Sequence, residues 1–68
     1  ENLYIHKALV YNSVSLFKWI DNLEYITFNF SGSSYTMTRE HCPLNKNIEQ
    51  KINDNEFVSD RMKLFETN

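Results

Sequence analysis

In Leu16-Phe17-Lys18-Trp19-Ile20-Asp21-Asn22-Leu23-Glu24-Tyr25-Ile26-Thr27-Phe28-Asn29-Phe30 the hydrophobic period changes partway along, and that change decides the fold. Before it, Leu9, Val10, Leu16, Phe17 and Ile20 fall at helical spacings, so the pattern predicts an amphipathic helix from Leu3 to Ile20. These five side chains are expected to face the following strands. Asp21-Asn22 are polar stop residues, and Asn tolerates the left-handed conformation that often ends a helix. From Glu24 the period becomes two: Ile26, Phe28 and Phe30 share one face, and Tyr25, Thr27 and Asn29 share the other. A strand with one buried face follows.

Downstream, Ser31-Gly32-Ser33 interrupts the strand with the only glycine, and Tyr35-Thr36-Met37-Thr38 resumes the alternation. The pair reads as an antiparallel hairpin in which Gly32 supplies a positive φ. Thr38 is placed to cap a short turn over Arg39-Glu40-His41, which Pro43 then blocks. Asn47 with Gln50 resembles a capping box, and Leu44, Ile48 and Ile52 lie four apart, which predicts a short helix over about 47–53. Phe57, Val58, Met62, Leu64 and Phe65, in the charged stretch after Asn55, predict a second amphipathic helix, with a tail beyond Glu66 that frays. The fold class is α+β: an N-terminal helix, a two-stranded antiparallel hairpin and one or two short C-terminal helices.

Sixty-eight residues enclose one core. The chain starts at Glu1 without Met and without a signal-like segment, and is expected to be one domain, residues 1–68, cut from a longer protein. Glu1-Asn2-Leu3-Tyr4 is similar to the start of an engineered protease site, but Ile5-His6 break the match and the residues read as native. A formal charge of −2, with cations scattered singly, offers no basic stripe for nucleic acid. The aliphatic run Ala8-Leu9-Val10 is far short of the ~20 residues a membrane span needs.

Residues suited to catalysis are few. Cys42 is the only cysteine, so no internal disulfide forms. His6, His41 and Cys42 are the only nitrogen or sulfur donors of metal-ligand type, and their spacing matches no zinc motif. His41 beside Cys42 lacks a third, orienting group, so Cys42 reads as a half-buried loop thiol and His6 as a core-edge imidazole. One glycine cannot build a phosphate loop. The expectation is no enzyme, no metal and no cofactor. Glu24, Glu40 and Glu49 read as solvated surface, and the Asn29-Phe30-Ser31 glycosylation triplet as chance.

One pattern exceeds this background. At about 100° per residue, Tyr4, Ala8, Tyr11, Ser15 and Trp19 gather within roughly a quarter turn opposite the apolar stripe. Tyr4, Tyr11 and Trp19 are therefore candidate interface residues, since Tyr and Trp are enriched at contacts. The competing reading covers this face internally, with the last helix packing on it through Phe57, Met62 and Phe65.

The run from Val14 to Phe28, followed after Gly32 by Tyr35-Thr36-Met37-Thr38-Arg39-Glu40, resembles a small domain of unknown function. That domain lies at the extracytoplasmic C-terminal end of membrane metallopeptidases of the beta-lactam sensor and antirepressor type in Gram-positive bacteria. Neither the peptidase's His-Glu-x-x-His nor a sensor's Ser-x-x-Lys is present, so peptidase activity does not transfer. What the resemblance implies is an extracytoplasmic location and a non-catalytic accessory, sensing or interaction role in a membrane-associated regulator. Its partner would be the rest of that regulator or a small ligand. The alternative is a free-standing interaction or inhibitor module, cytoplasmic in location and homodimeric through the N-terminal helix.

Overall fold

The computed structural model describes residues 3–30, 32–42 and 47–67. Helix α1, Leu3–Trp19, contains no glycine or proline, and Lys18 in its last turn opposes the negative end of the helix dipole. Strands β1, Tyr25–Phe30, and β2, Ser33–Thr38, form the expected hairpin, in register from Tyr25 opposite Thr38 to Phe30 opposite Ser33. Gly32 closes it at φ 80, a region where a Cβ is strained. Thr38 caps the 3-10 turn Arg39–His41, its Oγ1 accepting from the His41 backbone N–H at 3.3 Å. Helix α2 spans Ile48–Lys51 and helix α3 spans Asn55–Met62. Ser31, Pro43 and Leu44, named above for the turn, the block and the helix spacing, lie outside the described residues, as do Glu1 and Asn2.

The core joins Leu9, Val10, Val14 and Phe17 of α1 to Met37, Cys42, Ile48, Val58 and Phe65. Here the structure corrects the expected stripe. Leu16 and Ile20 are 37% and 42% exposed, while Val14 and Ser13 are buried in their place. The buried arc is rotated toward Val14 because α1 packs chiefly on α3, through Val58, with a smaller contact to α2, and not principally on the hairpin. Ser13 is 1% exposed, and among the described residues its Oγ has no hydrogen-bond partner.

The C-terminal region differs from the sequence reading in three ways. Asn47 makes no side-chain cap on α2; the cap on this side of the molecule is Asp54, whose Oδ1 accepts from the Glu56 and Phe57 N–H groups at 2.9 and 3.4 Å. Helix α3 stops at Met62, and backbone bonds from Leu64 to Arg61 and from Phe65 to Met62 turn the chain back. Of the tail beyond Glu66 expected to fray, Thr67 instead joins Glu66 in strand β3, antiparallel to β2, and Asn68 lies outside the described residues. Phe65 anchors this return: its ring meets Phe28 and Tyr35 edge-on at centroid distances of 6.4 and 6.3 Å. The sheet order is β1-β2-β3.

Candidate interaction surface

The side of α1 turned away from the core is open. Tyr4 is 83% exposed and Trp19 80%, one near each end of the helix, with Tyr11 exposed between them and Ala8 and Asn12 beside it. At 1.5 Å per residue the two outer aromatics stand about 22 Å apart along the axis. Helix α3 does not cover them; it lies against the opposite face, and Phe57, Met62 and Phe65 pack toward the core. Within α1 the only side chains with full charge are Lys7 and Lys18, with no carboxylate among them. The surface is thus aromatic and weakly cationic, a composition suited to contact with another macromolecule.

Arg39 holds the end of this helix in place. Its Nε donates to the Leu23 carbonyl at 2.6 Å, its Nη2 donates to the Ile20 carbonyl, and its guanidinium lies 5.1 Å from the centre of the buried Phe17 ring. Its backbone N–H also donates to the Glu24 carbonyl at 2.8 Å. One residue at the close of β2 therefore satisfies carbonyls left over where α1 ends and fixes the loop that leads into β1. In the sequence Arg39 is one of the singly scattered cations. Nothing local marks it otherwise, because its partners are backbone oxygens 16 and 19 residues away.

His41 and Cys42 are adjacent in sequence but in different surroundings. His41 is exposed, and its Nδ1 lies 2.9 Å from Thr38 Oγ1. Cys42 is buried, and burial pushes its thiol above the ordinary value, with the charges of Arg61 and Arg39 opposing in part. Its neutral form is favoured, the reverse of an activated nucleophile. His6 is half-buried at the core edge of α1. Among the described residues no three His, Cys, Asp or Glu side chains are grouped to hold a metal ion.

A solvent-open depression of about 670 Å³ lies on the outer side of the sheet. Its lining includes Glu24, Glu40 and Glu66, with Tyr25 and with Arg39, whose guanidinium is already engaged. Among the described residues no helix is long and apolar enough to cross a membrane. Comparison with protein families, curated proteins and solved structures finds no match for this chain.

Proposed function

We propose that this chain is a non-catalytic interaction domain, the accessory or sensing module of a membrane-associated bacterial regulator, which docks on the rest of that protein through the outer face of α1. The observation that carries the reading is the exposure of Tyr4 and Trp19 at the two ends of a helix whose other side supplies Leu9, Val10, Val14 and Phe17 to the core. Soluble domains seldom leave such aromatics uncovered without a contact to make. The state of Cys42 supports the non-catalytic part, since a buried thiol held neutral has neither the charge nor the access that catalysis by cysteine requires. The resemblance of residues 14–40 supports the extracytoplasmic, regulator-bound setting.

A photo-crosslinking residue placed at Trp19 in the full-length gene product tests this, with Ser59 on the exposed side of α3 as the reference position. An adduct from position 19 to the parent polypeptide outside this domain, and none from position 59, is the expected result. Equal labelling from both positions overturns the reading. An adduct only to a second copy of the domain replaces it with the free-standing homodimer.

A further inference from the structure

We infer that the outer edge of β1 pairs antiparallel with the same edge of a second copy of this chain, merging two three-stranded sheets into one continuous sheet. The strand order leaves β1 at a border. Among the described residues, no backbone group of Tyr25–Phe30 bonds to anything except β2. Every residue that points its N–H and C=O outward there offers a template for another strand.

Natural sheets guard such edges with lysine, proline, a bulge or a covering element. Strand β1 carries no lysine, proline or bulge, and among the described residues no other strand pairs with its outer edge: it reads Tyr-Ile-Thr-Phe-Asn-Phe, uncharged over its full six residues and in unbroken register with β2. Its partner edge is its own copy because the strand is self-complementary. A two-fold axis perpendicular to the sheet keeps each copy's inner face on the same side, so inward residues must meet inward residues. Placing Phe28 opposite the copy's Phe28 satisfies this and sets Ile26 against Phe30 and Thr27 against Asn29 in both directions.

Two consequences of that register favour the copy over an arbitrary strand. Phe30, which points to the inner face but is left 44% exposed at the border, becomes covered by Ile26 of the second copy, so the apolar inner face continues across the junction. No like charges meet either, since Glu24 falls opposite Gly32 and the paired residues between carry no charge. The contact is separate from the outer face of α1 and leaves that face open.

Sedimentation of the 68-residue chain over a concentration series, with T27K/N29K and T27E/N29E variants, tests the pairing. Both positions lie on the exposed side of the sheet, away from the core. The parent is expected to dimerise, and each variant alone to lose more than about tenfold in association constant because like charges face each other across the junction. An equimolar mixture of the two variants is expected to recover dimer. Replacing Tyr4 and Trp19 with Ser leaves the parent's dimerisation unchanged. In parallel, hydrogen exchange of the unmodified chain should slow at Tyr25–Phe30 as concentration rises, a readout that does not depend on the variants folding. A parent that stays monomeric, variants that still dimerise alone, a mixture that stays monomeric, loss of dimer in the α1 variant, or exchange in β1 independent of concentration overturns the inference.

Discussion

Phe17 and Trp19 stand two residues apart on the same helix, and one is 1% exposed while the other is 80% exposed. Both are large aromatics that a composition count would assign to the core of so small a domain. Their phase on the helix separates them by about 200°, which sends Phe17 under Arg39 and into the cluster with Val58 and sends Trp19 into solvent. The same division runs through the whole molecule: Phe17, Phe28 and Phe65 pack in or against the core, while Tyr4, Trp19 and Tyr25 are exposed. Aromatic content in a short chain is therefore not a measure of its core. The position of each ring relative to its neighbours decides what it does.

That contrast predicts a graded series of substitutions. Phe17→Ala has the largest effect, a loss of ~3–5 kcal/mol from removing a fully buried ring, and urea unfolding followed by circular dichroism should show the domain at or near collapse. Arg39→Ala comes next, at about 1.5–3 kcal/mol, because two backbone carbonyls lose a charged donor and the Phe17 ring loses its cover. A loss under about 0.5 kcal/mol would mean that the end of α1 is held by something else. Ser13→Ala is expected to act in the opposite direction and stabilise by about 1 kcal/mol, since it deletes a buried hydroxyl without a partner and improves helix propensity. If it destabilises, that hydroxyl is satisfied in solution.

Cys42 and His41 repeat the buried and exposed contrast in titratable side chains. The folded thiol's pKa lies above the ordinary 9.0, so folding favours its neutral form. The resulting stability is fully present below the pKa of the unfolded thiol and is lost as pH rises through that value toward the folded one. Unfolding curves from pH 8 upward should therefore fall less steeply for Cys42→Ala than for the parent. Alkylation of native Cys42 should likewise be slower than that of the denatured chain. Trp19→Ala closes the series with the smallest effect, within about 0.5 kcal/mol, because no packed neighbour is lost. A cost comparable to that of Phe17→Ala would erase the contrast and return Trp19 to the core.

The parts of this fold legible in the sequence are those fixed by local periodicity and by single residues with special backbone demands. The switch of period after Ile20 places α1 and β1, Gly32 places the turn, and Thr38 places the cap on Arg39–His41. The open face of α1 was legible as a face, but whether anything covered it depended on where α3 lands, which no local pattern encodes. The same ignorance misplaced Leu16 and Ile20: both match the helical stripe in hydrophobicity, yet the neighbouring helix packs nearer Val14. Phe65 was read as part of the second amphipathic helix, with Phe57, Val58, Met62 and Leu64. Its actual place is set by Phe28 and Tyr35, residues distant in sequence. Asp54 was the legible signal that went unused, a capping residue just ahead of the helix it starts.

The position of Phe65 also bears on how the molecule is made. Its ring is packed between parts of the hairpin, and the two residues after it complete the sheet. In a nascent chain α1 and the hairpin each rest on local contacts, and the space beneath Phe28 and Tyr35 stays open until residue 65 has cleared the ribosome. The core can therefore close only once residue 65 is available, and until then the apolar underside of the hairpin is open to chaperones.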